Sequence, residues 1–259
     1  MEIPVPHKAT VPRLYKYSSL QSDEHVARLR VIIQDHELYF PSLPQLNDPT
    51  DGRPRLAPLS EEKMADFLCD KLAERSPHLS ETELRHEEDV IHINVRHHGA
   101  VTLQRSIVEL FNKELEGYRI YSMSKRYDNF SLWAKYAGDH SGYCLEFAND
   151  GPLFQHAKDV IYAETLQVDI TIREQMNGSW FFCKRPEWSN EEEARLILPR
   201  GKGSKLKVEP SWLRRLILGR NISSSNEQTI REWAWQREPE LAVVKAHYDP
   251  TDQKIVLGP

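Results

Sequence analysis

Short strand-like runs and helix-like stretches follow one another along this chain without strict alternation, and that order constrains the fold more than any other feature. A doubly wound sheet needs a crossover helix after each strand, so the pattern points instead to an α+β fold. We expect a mixed, mainly antiparallel sheet core with flanking helices and a helical insert. Residues 13–17 alternate and carry aromatics, which reads as a strand with Tyr15 and Tyr17 on one face. In residues 23–34, Val26, Leu29, Ile32 and Ile33 recur at near-helical spacing behind a Ser22 or Asp23 cap. The same patterns predict strands at 37–40, 118–124, 142–147, 160–162, 194–198 and 241–246, and helices at 131–137 and 226–237.

Residues 60–116 are charged and helical in pattern. Ser60 opens them, and they carry one apolar face at Phe67, Leu68 and Leu72 and another at Ile107, Leu110, Phe111 and Leu115. They are expected to form the insert, within a single domain spanning 1–259. The turn-rich run 47–52 and the run 201–204 read as loops.

Lys plus Arg number 34 against 39 Asp plus Glu, a formal net charge of −5, so no global basic field recruits nucleic acid. Cys69, Cys144 and Cys183 are odd in number and widely spaced, which suits reduced thiols. Residues 1–11 lack a basic and then apolar leader, and no window nears the roughly 18 apolar residues that cross a bilayer. A cytoplasmic protein, with no membrane partner, is the expectation. Zinc spacings, Walker loops, nucleophile elbows and dinucleotide glycine fingerprints are missing from the sequence, and no metal ligands are assigned.

Glu191, Glu193 and Arg195 stand at alternate positions. An extended backbone would place all three on one face with the carboxylates roughly 7 Å apart, close enough to grip one ligand. If Ser189 instead caps a helix with Glu192 as its capping-box partner, Glu191 pairs with Arg195 across one turn on a surface. A solvated acidic face is the ordinary meaning of such a run. Asn47 and Asp48 could turn their oxygens to a ligand, or close a turn on their own backbone. Trp133 and Tyr136, with Trp180, Phe181, Phe182 and Trp188, usually signal packing. They could also line a cleft beside Glu193, with Tyr136 and His140 as donors. Cys144 lies in the expected strand 142–147, which suggests a buried, inert thiol.

Six blocks in order carry a resemblance. They are Tyr-Lys-Tyr at 15–17; Leu-Tyr-Phe at 38–40 with Leu-Asn-Asp-Pro at 46–49 and Asp51; Tyr-Ser-Met-Ser at 121–124; Leu-Trp-Ala-Lys-Tyr-Ala at 132–137; Gly-Tyr-Cys-Leu-Glu-Phe at 142–147; and Trp-Ser-Asn-Glu-Glu-Glu-Ala-Arg at 188–195. Together they resemble the bacterial domain-of-unknown-function family numbered 2971, over nearly the whole chain. Thr50 and Gly52 depart from its usual aromatic and small residue, and 60–116 carry no signature of it.

The order of a basic or aromatic strand, a Ser-x-Ser strand and a Glu-x-Glu motif is also similar to that of toxin-type ADP-ribosyltransferases. This similarity implies NAD as a substrate, an unknown macromolecular acceptor, and a bacterial toxin or phage-defence setting. It implies that Glu193 stabilises the ribosyl cation and that Glu191 helps activate the acceptor. Ser122 and Ser124 would position the second carboxylate or the nicotinamide ribose, Tyr15 or Tyr17 would stack on nicotinamide, and Arg13 would meet phosphate. Asn47, Asp48, Trp133 and Tyr136 complete the expected NAD-binding set. Two rival readings remain: a Mg²⁺-dependent nuclease or phosphoesterase using Asp48, Asp51, Glu146, Glu191 and Glu193, and a non-catalytic module that docks a protein through its Trp-rich segments and acidic face.

Overall fold

The computed structural model describes residues 5–164 and 167–258, apart from the side chains of Arg173 and Glu174. The leader reading of residues 1–11 therefore falls partly outside the described residues, as do the ends of the expected 1–259 domain. The α-helices are α1 (Asp23–Gln34), α2 (Glu61–Arg75), α3 (Glu81–His98), α4 (Ala100–Leu115), α5 (Phe130–Lys135) and α6 (Ser224–Gln236). The main sheet contains β1 (Arg13–Ser18), β2 (Arg119–Ser124), β3 (Tyr143–Ala148), β4 (Lys158–Asp159), β5 (Glu193–Leu198), β6 (Leu213–Leu218), β7 (Ala242–Asp249) and β8 (Lys254–Gly258). Their order across the sheet is β8-β7-β6-β3-β1-β2-β5-β4. Only β6 and β7 are parallel, and α6 is the crossover between them, as a parallel pair requires. The fold is α+β with a mixed, mainly antiparallel sheet.

Alternation along the strands sorts the side chains onto two faces. Leu14, Phe147 and Leu216 pack beneath Leu29 and Ile33 of α1 and Ile230 and Ala234 of α6. On the other face, Tyr15, Tyr17, Cys144 and Ile217 pack with Leu132 and Trp133 of α5. Helices α2 to α4 occupy the stretch expected to be helical and pack on one another through Met64, Ala65, Val95 and Ala100. Ser60 and Ser80 cap α2 and α3 by accepting from the amides of Lys63 and Glu83. Leu110, expected on an apolar face, is 65% exposed on α4.

Several strand expectations need correction. Glu37–Tyr39 does not join the main sheet but pairs with Lys205–Lys207 in a separate ribbon. Of the run at 160–162, Ile161–Tyr162 is a strand but pairs with Cys183–Lys184 outside the main sheet, and the preceding Lys158–Asp159 takes the sheet edge. Strands β6 and β8 had no counterpart among the expected strands.

The pairing of β1 matters most for function. It holds β3 along all six residues, from Arg13 opposite Ala148 to Ser18 opposite Tyr143. On its other side it meets β2 at a single pair, Tyr15 opposite Ser124. The sheet is therefore open between these two strands, and a notch runs into it.

Candidate functional site

Residues directly opposite in neighbouring strands point to the same face. Tyr15 of β1 is opposite Ser124 of β2, and Ser124 is opposite Glu193 of β5. The three make a row across the notch. Arg195, two residues on, stands opposite Ser122 on the same face. A cavity of about 240 Å³ opens over this row. Tyr15, Tyr17, Asn47, Ser122, Ser124, Tyr136, Glu191 and Glu193 all line it.

The two acidic residues arrive by different routes, which neither sequence alternative described. Residues Pro186–Glu191 form a 3-10 turn, Glu192 takes a left-handed backbone at φ 45°, and the strand begins at Glu193. The left-handed residue lets a helical turn become a strand within one step, so Glu191 and Glu193 converge although only Glu193 and Arg195 share strand geometry. Lys184 joins them, its Nζ lying 2.5 Å from Glu191 Oε2 and 3.0 Å from Glu193 Oε2.

Arg195 is the anchor of the cluster and is fully buried. It donates through Nε and Nη2 to Glu193, at 2.5 and 3.0 Å, and through Nη1 and Nη2 to Asp51, both at 2.7 Å. Nη1 also donates to the Phe181 carbonyl at 2.8 Å, so all five guanidinium N–H groups are used. Asp51 reaches this point because the 47–52 loop turns sharply at Gly52. Its φ is 69°, and a Cβ there would sit 2.6 Å from Leu43 Cδ2, so a side chain at this position would be strained and glycine is favoured.

Burial alone would raise the Glu193 carboxyl, but the Arg195 guanidinium, and after it Lys184, overcomes that penalty and holds it at about 2. Burial would likewise strip the proton from Lys184, yet Glu193, Asp51 and Glu191 keep it on and raise the ammonium. Glu193 is thus a fixed anion at any working pH. Its usual value is 4.5, so the unfolded chain takes up this proton first, and stability falls as pH drops from about 4.5 towards 2. Over that window the wild type will lose about 3 kcal/mol more unfolding free energy than Glu193→Gln. Urea unfolding at pH 5, 3.5 and 2 measures this.

Tyr136 closes the rim. Its phenol donates to Glu191 Oε1 at 2.7 Å and accepts from Asn47 Nδ2 at 3.1 Å. Burial and the bond to Glu191 raise the phenol far above its ordinary value. Lys135 stands 3.6 Å from Glu191 Oε1 and 3.5 Å above the Trp188 ring, roofing the carboxylate from outside.

Three expected NAD-binding residues and one expected donor lie elsewhere. Trp133 is fully buried, packs edge-on against Tyr17 at 5.2 Å and donates to the Tyr127 carbonyl, so it backs the cavity wall. Arg13 pairs with Glu146 at 3.5 Å beyond the end of the cavity. Asp48 closes its own turn by accepting from the Thr50 amide and hydroxyl at 2.8 and 2.7 Å, and faces a smaller neighbouring cavity. His140 is sealed between Phe130 and Trp133.

Of the carboxylates named for a divalent cation, Asp51, Glu191 and Glu193 do meet, but around the ammonium of Lys184. Glu146 is held by Arg215 at 2.5 Å, while Asp51 and Glu193 are occupied by Arg195. Trp180, Phe181 and Phe182 are core residues, unavailable as a docking surface. Cys144 is fully buried, and burial pushes its thiol well up, which makes it inert.

Sequence reasoning missed Lys184 and Lys16 as site residues. Both line the cavity. The alternating strand could have flagged Lys16, which stands between the two tyrosines; nothing local marks Lys184.

No helix among the described residues is long and apolar enough to cross a membrane. Compared with protein-family models, curated proteins and solved structures, the chain has no match.

Proposed function

We propose that this protein binds NAD in the notch between β1 and β2 and transfers its ADP-ribosyl group to a macromolecular acceptor. The observation that supports this is the row of Tyr15, Ser124 and Glu193, which sets an aromatic wall against fixed carboxylates across one cavity. A cationic nicotinamide ring suits the tyrosine wall, and ribose hydroxyls suit carboxylate and serine acceptors. At about 240 Å³ the space falls below the roughly 300–1,000 Å³ that encloses a drug-sized ligand. It therefore takes the nicotinamide riboside end, while the rest of NAD extends outward.

In the reaction the bond between ribose C1′ and the nicotinamide nitrogen breaks, and nicotinamide leaves neutral with the bonding pair. The positive charge left on the ribosyl group faces Glu193, whose carboxylate Arg195 and Lys184 already hold ionised and still. The acceptor nucleophile then attacks C1′, and Glu191 takes its proton. The toxin or phage-defence setting and the cytoplasmic location belong to this same reading, as does the likeness to the family numbered 2971.

Binding is testable without knowing the acceptor. NAD at a hundred times its Kd will stabilise the protein by about 2.7 kcal/mol, read as a rise in Tm. Nicotinamide riboside will also stabilise it, and AMP will not. No shift with NAD at millimolar concentration would remove the proposal.

A further inference from the structure

Two lysines line the same cavity and are held in opposite ways. Lys184 meets Glu191 and Glu193 within 3.0 Å and Asp51 at 3.8 Å. Lys16 meets no carboxylate within ion-pair distance among the described residues. Its Nζ donates to the Ser122 carbonyl at 2.8 Å and otherwise lies over the Tyr121 ring, 5.2 Å from its centre. An ammonium has three protons to place, and only one of these finds a conventional acceptor here.

The position of Lys16 is equally unusual. It crosses the opening where β1 and β2 part, reaching from one strand to the carbonyl of the other. It lines the cavity over the Tyr15 row, and it also lines a second cavity of about 300 Å³ bounded by Tyr121, Tyr143 and Leu145. Those three residues belong to the core under α1 and α6, so the second cavity is on the opposite face of the sheet. A half-buried amine is thus offered to two spaces at once.

We infer that Lys16 is a carbonyl-reactive amine, placed to capture small aldehydes, the open-chain form of a pentose among them, as an imine. The step balances: the free amine attacks the carbonyl carbon, a C–N bond forms, and the carbonyl oxygen leaves as water with both amine protons. Desolvation lowers the ammonium to about 8, with Lys184 and Arg195 adding to the effect and Glu193 and Glu191 opposing it. Relative to the ordinary 10.5, this gives about 300-fold more free amine at neutral pH. Desolvation beside other cations is a general way in which lysines become nucleophiles. The inference goes beyond NAD binding and does not depend on it.

The test uses the intact protein, limiting glycolaldehyde and cyanoborohydride, which reduces any imine to a stable secondary amine. Peptide mass spectrometry then ranks the lysines. At pH 7, Lys16 is expected to be labelled about tenfold faster than the exposed Lys202, with half-maximal rate near pH 8. Lys184, in the same cavity but ion-paired, is expected to stay unlabelled, and Lys16→Met to lose the fast phase. Labelling of Lys16 no faster than Lys202, or a rate still climbing at pH 10, would overturn the inference.

Discussion

Arg195→Met will destabilise the protein by roughly 3–5 kcal/mol, the cost of leaving buried charges without their partner. Arg195 is fully buried and spends two N–H groups on Asp51, two on Glu193 and one on a carbonyl. Both carboxylates are themselves buried, at 5% and 3% exposure, so water cannot replace the guanidinium. Lys184 alone would then face three carboxylates. For a chain of this size the loss corresponds to a fall in Tm of roughly 6–20 °C. Arg195→Lys will recover little, because an ammonium cannot fork between two carboxylates. Adding Asp51→Asn to Arg195→Met will restore part of the stability by removing one stranded charge, and the size of that recovery measures the coupling.

Glu191→Gln will lower turnover to the acceptor by about 10²–10⁴-fold, the range that a positioned general base commonly contributes. The substitution keeps the shape and an oxygen acceptor but removes the anion. It should perturb the fold little, since Lys184 keeps Glu193 and Asp51 and Arg195 is untouched. The expected pattern is therefore a Tm close to that of wild type with turnover nearly lost. Glu193→Gln will lose both, because Glu193 anchors Arg195 as well as facing the cavity. Equal turnover in the wild type and Glu191→Gln would remove Glu191 from the reaction.

The local elements were legible where periodicity was strong. The α1 stripe, the aromatic alternation at β1 and the Ser60 cap could each be read from spacing, because one buried face imposes its period on the residues. Strand β6 was obscured by Arg214 and Arg215 and by an irregularity between Leu213 and Arg215, which breaks the alternation of two. Glu37–Tyr39 has strand composition, but composition does not name a partner, and its partner is Lys205–Lys207.

Much of the site was legible as a list of residues and not as a geometry. The tyrosines, the serines and both glutamates could be named, yet their meeting depends on β1 pairing with β2 at one residue only, a fact of tertiary register. Trp133 was named as a ligand-binding aromatic, but at its place on α5 it faces the sheet. Lys184 was invisible for a different reason. Lysine is ordinarily exposed, and what buries this one comes from Asp51, Glu191 and Glu193, brought together only by folding.

A structure determined with nicotinamide or NAD bound tests the central claim most directly. The account places the ring between Tyr15 and Tyr17 on one side and Glu191 and Glu193 on the other, with Ser122 and Ser124 beneath the ribose. A ring bound elsewhere on the chain, or a notch filled by Lys16 and closed to the ligand at saturating concentration, would contradict it.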